Sequence, residues 1–227
     1  MKHFLDLVSG SDRFKENIIH KLCFKHTELF RDAEVWHKIL EIIRQSSNSE
    51  KITVYVVDTP DASDLLTLLI LLHENDLMES VRISYLCFKY DNVGQEILSG
   101  IELSQRQFIQ AQSFYTSSFM KRNPLERYFT FSGTGYRLNR SLLADVSCFQ
   151  LPVYSAIYPE PSDMLIARNL TIGFNFQYHE ALFTVYTKLV KPNGILVFGL
   201  KEGFSWCRNY SLTQIPENPA FYYNRTL

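Results

Sequence analysis

Two patterns alternate along this chain. Short apolar runs with no polar face predict strands covered on both sides, and stretches whose apolar residues recur every three or four positions predict helices between them. Ile52–Val57 is apolar and rich in β-branched residues, and reads as the first strand of a sheet; Asp58–Ser63 is the turn after it and Asp64–His73 a strongly apolar helix. Arg82–Phe88 predicts a second strand, Asn92–Ser99 a helix after it, and Val146–Leu151 a further strand. The pattern is most complete in Asp163–Gly199. Met164–Ala167 is a short strand with Arg168 and Asn169 directly behind it, and Asn175 to Val190 is amphipathic. Lys191-Pro192-Asn193-Gly194 ends that helix, because Pro192 cannot continue it and Asn-Gly accepts positive φ; Ile195–Phe198 is the next strand. Strands joined by helical crossovers make a mostly parallel sheet in an α/β fold, whose ligands sit beyond the carboxyl ends of the strands, where Arg168 and Asn169 fall.

Around this centre the pattern is more varied. Met1–Ser47 reads as helical, with apolar spacing in Lys15–Phe24 and again in Asp32–Ile43, where Asp32 is placed to cap; a polar linker follows at Ser46–Ser49. Gln105–Lys121 is polar and aromatic and reads as loop with some helix. Tyr128–Phe131 and Tyr136–Leu138, around Ser132-Gly133-Thr134-Gly135, predict a hairpin, and Ala220–Tyr223 an antiparallel edge strand. The expected organisation is a short helical region over 1–47 and an α/β domain over 48–227, with a small β insert at about 126–140.

Composition narrows the function classes. The chain has 227 residues, 46% hydrophobic and 21% charged, which is ordinary for a globular protein. A formal net charge of −1 and the lack of a basic run argue against nucleic-acid binding. The 13 Tyr and 17 Phe read as core rather than as a base-stacking platform. Cys23, Cys87, Cys148 and Cys207 lack the close spacing of a zinc site or disulfide framework, and the opening residues are too poor in consecutive apolar positions for a signal peptide. Leu65–Leu72 is too short to span a bilayer. These features place the chain in the cytoplasm, with no membrane insertion. Asn169-Leu-Thr, Asn209-Tyr-Ser and Asn224-Arg-Thr match glycosylation triplets by chance in that setting. Asp58, Asp61 and Asp64 read as a turn and a helix start, with Asp61-Ala-Ser-Asp64 resembling a capping box, rather than as a metal site; the six histidines lack metal-ligand spacing. Hydrolase and nucleotide-phosphate signatures are absent from the sequence.

Four blocks, in order, resemble the CheR-type chemotaxis-receptor glutamate methyltransferases. Thr27-Glu-Leu-Phe-Arg-Asp32, followed by Ala33-Glu-Val-Trp36, is similar to the family's T-x-F-F-R-D and P-E-V-W. Leu125-Glu-Arg-Tyr-Phe129 with Gly133-Thr-Gly-Tyr-Arg137 resembles its R-Y-F…G-x-G-Y-R-V hairpin. Asp163–Phe174 resembles D-L-I-x-C-R-N-V-x-I-Y-F, and Leu189–Gly199 resembles L-K-P-G-G-x-L-x-x-G. The resemblance covers roughly Thr27 to Tyr223. It implies a class I methyltransferase (Rossmann-like) sheet with a helical N-terminal region and a small β insert, a bacterial signalling role, and S-adenosylmethionine (SAM) as methyl donor to a protein glutamate. The helical region before Thr27 is shorter than the family's, and the hairpin loop is short for the members that tether a receptor tail there.

The positions implied to hold SAM have mostly changed. In the family's A-G-C-S-T-G-E-E, the first glycine falls on Asp58, the second on Ala62, and the glutamates on Ser63 and Asp64. Glycine belongs where any side chain would fill ligand space, and Asp58 would add charge beside the donor's carboxylate. The ribose-binding acid falls on Phe88, which cannot accept hydroxyl hydrogen bonds; Asp91 is the nearest substitute. The family's H-N-L falls on Leu151-Pro152-Val153, and the acceptor-side tyrosine on Gly173. Arg31, Arg168 and Asn169 persist. As the remnant of a catalytic site, these three and the pocket-lining positions Asp58, Asp64, Phe88, Val153 and Asn169 describe a scaffold with its SAM site eroded. The first expectation is a non-catalytic signalling or interaction module with a protein partner and no cofactor. The alternative is an active SAM-dependent protein-glutamate O-methyltransferase with an altered pocket, and a third option is a pocket adapted to another small molecule.

Overall fold

The computed structural model describes residues 28–46, 50–57, 62–87, 101–119, 123–151, 157–170, 176–202 and 212–225. The helices predicted over Lys15–Phe24 and Asn92–Ser99 lie outside these residues. The chain begins with α1 (Ala33–Ser46), then β1 (Ile52–Val57), α2 (Ser63–Glu74) and β2 (Val81–Cys87). Next come β3 (Glu102–Ser104), α3 (Gln105–Phe119), β4 (Phe129–Phe131), β5 (Gly135–Leu138) and β6 (Val146–Gln150). The last elements are β7 (Ser162–Ile166), α4 (Phe176–Leu189), β8 (Val190–Val197), β9 (Leu212–Gln214) and β10 (Phe221–Asn224).

Seven strands form the main sheet in the order β6-β2-β1-β7-β8-β10-β9. All neighbours from β6 to β8 run parallel, and β10 is antiparallel to both β8 and β9. Counted by their place in this sheet, the strands read 3-2-1-4-5-7-6 with the seventh reversed. This is a doubly wound sheet with a strand inserted near one edge, the class I methyltransferase fold.

The sheet explains why the strands lack a polar face. Val54 and Val56 of β1 pack with α1 and α2 on one side, while Tyr55 and Val57 pack with α4 on the other. The same alternation divides Met164 and Ile166 from Leu165 in β7, and Phe221 from Tyr222 in β10. The apolar helix α2 is buried all round, with Leu65, Leu66, Leu68, Leu69, Ile70, Leu71 and Leu72 each 0% exposed. That is why it shows no amphipathic stripe.

Several expectations are corrected. Residues read as mostly loop form the 15-residue helix α3, burying Phe108, Ala111, Tyr115 and Phe119. Its start is a capping box: Gln107 N–H donates to Ser104 Oγ at 3.3 Å, and Ser104 N–H to Gln107 Oε1 at 2.8 Å. The hairpin at β4 and β5 is present, but β3 joins it as a third strand, in the order β3-β5-β4. Ala220–Tyr223 was expected at an edge; β10 instead lies inside the sheet, between β8 and β9. Lys191–Gly194 does follow the end of α4, yet it forms an irregularity within β8, where the pairing jumps from Ser162↔Val190 to Met164↔Ile195 and Asn193 takes φ 62°.

Candidate functional site

The carboxyl ends of β1, β7 and β8 meet at one place, and the first polar residues beyond β7 are Arg168 and Asn169. Arg168 is 2% exposed. One guanidinium nitrogen donates to Asp64 Oδ1 at 2.9 Å; another donates to Asp32 Oδ2 at 2.6 Å and to the Arg31 carbonyl at 3.2 Å. Its carbon lies 5.0 Å from the Trp36 ring centroid, and its Nε is buried with no hydrogen-bond partner among the described residues. A buried guanidinium needs such partners, because desolvating it alone would cost several kcal/mol.

Two elements bring those partners. Asp64 and Thr67 lie one turn apart on α2. Thr67 Oγ1 accepts from Phe30 N–H at 3.0 Å, which fixes the segment before α1 over the helix. Phe30 and Asp32 adopt φ 65° and 56°, a strained conformation for residues with a Cβ. Leu29 and Phe30 are 1% exposed, Phe30 packs against Tyr115 and Phe119, and Trp36 Nε1 donates to the Arg31 carbonyl at 2.9 Å. Asp32 sits directly before α1 as expected, and the side-chain bond observed for it goes to Arg168. The Arg31 side chain pairs with Glu28 at 3.3 Å and more loosely with Asp32 at 3.9 Å, while its carbonyl accepts from Arg168.

Asp61, the first residue of the capping box expected at Asp61–Asp64, lies outside the described residues. The N-cap of α2 is Ala62, with φ 53° and no side-chain cap, and Asp64 accepts from Arg168. Ala62 is 0% exposed, so an alanine methyl is buried where the backbone takes a glycine-like turn. Asp58, Phe88, Asp91, Pro152, Val153 and Gly173 lie outside the described residues.

Asn169 also adopts a left-handed φ of 57°. Its N–H donates to Glu202 Oε2 at 2.7 Å, and the same oxygen accepts from Gly199 N–H at 2.7 Å. Glu202 is 7% exposed. A Cβ on Gly199 would stand 2.2 Å from Asn169 Oδ1, so the Asn169 side chain packs directly over the glycine. Sequence reasoning missed Glu202. Its one cue is its place three residues after Gly199, the length of a turn closed by Glu202 N–H to the Gly199 carbonyl at 3.0 Å.

Elsewhere, a second polar cluster ties α2 to the small sheet. Glu74 accepts from the Tyr128 hydroxyl and from Asn123 Nδ2 at 3.0 Å, His73 Nδ1 lies 3.1 Å from the Tyr128 hydroxyl, and Tyr115 donates to the Asn123 carbonyl at 3.2 Å. Burial and the Glu74 carboxylate push both the Tyr115 and Tyr128 hydroxyls well above the usual phenol range. Cys87 and Cys148, far apart in sequence, lie with their sulfurs 3.9 Å apart on β2 and β6. Among the described residues, no group of three or more His, Cys, Asp or Glu could hold a metal ion, and no helix is long and apolar enough to cross a membrane.

No protein-family model and no curated protein matches the chain. Similar solved structures include N-methyltransferase NodS from Bradyrhizobium japonicum WM9, 12% identical, covering 87% of this chain and 100% of that one with a TM-score of 0.40. Another is SAM-bound CalS10, an amino pentose methyltransferase from Micromonospora echinaspora, 10% identical over 82% of this chain and 54% of that one, TM-score 0.37. A third is the CMeT domain of citrinin polyketide synthase, 11% identical over 86% of this chain and 41% of that one, TM-score 0.41. The chain spans about half the length of the first solved structures it matches, 41% to 57%.

Proposed function

We propose that this chain is a CheR-like methyltransferase-fold domain that has lost its use for SAM and works as a protein-interaction or signalling module. The observation that carries this reading is the self-sufficiency of the polar groups at the ligand end of the sheet. The Arg168 guanidinium is bonded to Asp64 and Asp32, and the Asn169 and Gly199 amides to Glu202. Asp64, the one acid kept from the family's glutamate pair, therefore serves Arg168. A donor molecule would have to compete for it against a buried ion pair.

The residues at the cradle also fit SAM poorly. The methyl of Ala62 is buried where the family has glycine. In sequence, Asp58 brings a negative charge toward the donor's carboxylate, Phe88 stands for the acid that would hold the ribose, and Pro152 and Val153 offer no side-chain amide to the nucleoside. The expected ligand is instead another protein, by analogy with a family that acts on receptor tails.

Calorimetric titration with SAM and with S-adenosylhomocysteine tests the reading. No heat of binding is expected at micromolar to millimolar ligand. Micromolar affinity for either would end the proposal and support the active alternative, in which Arg31, Arg168 and Asn169 serve transfer to a protein glutamate.

A further inference from the structure

Two main-chain amides, Asn169 N–H at the end of β7 and Gly199 N–H at the end of β8, converge on one oxygen, each at 2.7 Å. Paired N–H donors aimed at a single point form an anion hole whatever the occupant. The occupant here is the carboxylate of Glu202, only 7% exposed, carried on the Gly199–Glu202 turn just beyond β8. Asn169 takes a left-handed φ of 57° while its N–H donates into the hole, and a Cβ on residue 199 would stand 2.2 Å from the side-chain Oδ1 of Asn169 and 3.0 Å from the Glu202 oxygen, so the side chains packed over Gly199 would have to move for any larger residue. The hole lies at the end of the parallel sheet where α/β folds take their ligands.

We infer that this is a carboxylate-binding site which the chain fills with its own Glu202, an internal ligand that keeps the mouth of the sheet closed. A carboxylate-bearing ligand reaches the hole only by displacing the Gly199–Glu202 turn. The inference does not depend on whether the domain binds SAM.

Chemical rescue tests it. Glu202→Ala deletes the γ-carbon and the carboxylate, the atoms of an acetate ion, and leaves both amides unpaired. The variant is expected to melt roughly 5 °C or more below wild type in chloride. About 100 mM acetate should then recover at least half of that loss, with wild type unmoved by the exchange of chloride for acetate. Rescue no greater in acetate than in chloride of equal ionic strength overturns the proposal and leaves Glu202 a brace for its turn. Equal stabilisation of wild type by acetate also overturns it, since the ion then binds elsewhere. If Glu202→Ala does not fold in chloride, the comparison becomes refolding yield. Recovery in acetate alone supports the site, and recovery no better in acetate than in chloride overturns it.

Discussion

Arg168 shows how one residue changes meaning between sequence and structure. Following a strand, next to Asn169, it reads equally as part of a hydrogen-bonded turn or as the remnant of a catalytic site. In the fold it is 2% exposed and joins residues more than a hundred positions away, Asp64 on α2 and Asp32 before α1. No local pattern reveals such a pairing, because both acids also suit helix starts. Removing the guanidinium takes a charge partner from the nearly buried Asp64 carboxylate, so Arg168→Met should cost about 3–5 kcal/mol in urea unfolding. Asp32→Asn should cost less, near 1 kcal/mol, because the Asp32 side chain is 21% exposed and can turn to water. Equal losses for the two would contradict this assignment. Tyr115 and Tyr128 give a pH dependence. Burial and then Glu74 raise both hydroxyls, so the folded state holds protons that the unfolded chain releases. Their contribution is complete below the ordinary tyrosine range, near pH 10, and is lost as pH rises from there toward the folded values. Denaturation midpoints measured from pH 8 to 11 should fall at the upper end. Tyr128→Phe, less stable at pH 8 because Glu74 loses its hydroxyl donor, should show a shallower fall.

At the scale of elements, the sequence was most readable where burial is two-sided. The first strand is legible at its observed ends and β2 and β7 to within two residues, because an apolar run between polar breaks has few other readings; of β8 only the end from Ile195 is legible, since Val190–Gly194 reads as helix end and turn. The central helix reads as core, and the buried Thr67 within it anchors Phe30 N–H. The failures share a cause. α3 mixes Gln and Ser with aromatics, so its composition suggested a loop, although Phe108, Ala111, Tyr115 and Phe119 recur at helical spacing behind a Ser-x-x-Gln box. β3 and β9 are three residues each, too short for any period to show. β10 was judged an edge because nothing local distinguishes an edge from an interior strand; β9, its outer neighbour, was the missing part. If the box starts α3, Ser104→Ala should lower stability by about 1 kcal/mol, read from urea unfolding. A change within a few tenths would mean that packing alone fixes that helix.

Across the whole molecule, the strand order 3-2-1-4-5-7-6 is that of the class I methyltransferase fold, and polar groups at the ligand end of the sheet bind one another. Core positions are constrained by packing on both faces of the sheet, which is why the strands and the buried helix are legible in the sequence. The polar groups at the ligand end pair across long sequence separations, as Arg168 does with Asp64 and Asp32, and no local pattern announces those pairs. If Asp58 and Phe88 are what exclude the donor, the double variant Asp58→Gly, Phe88→Asp should gain some SAM-dependent thermal protection. The most direct test is made on the unaltered protein, by following thermal unfolding with and without about 1 mM SAM. A ligand present at a hundred times its dissociation constant would add about 2.7 kcal/mol, several degrees for a chain of this size. The account predicts no shift beyond that given by an equal concentration of adenosine. A rise of several degrees with SAM alone would contradict it.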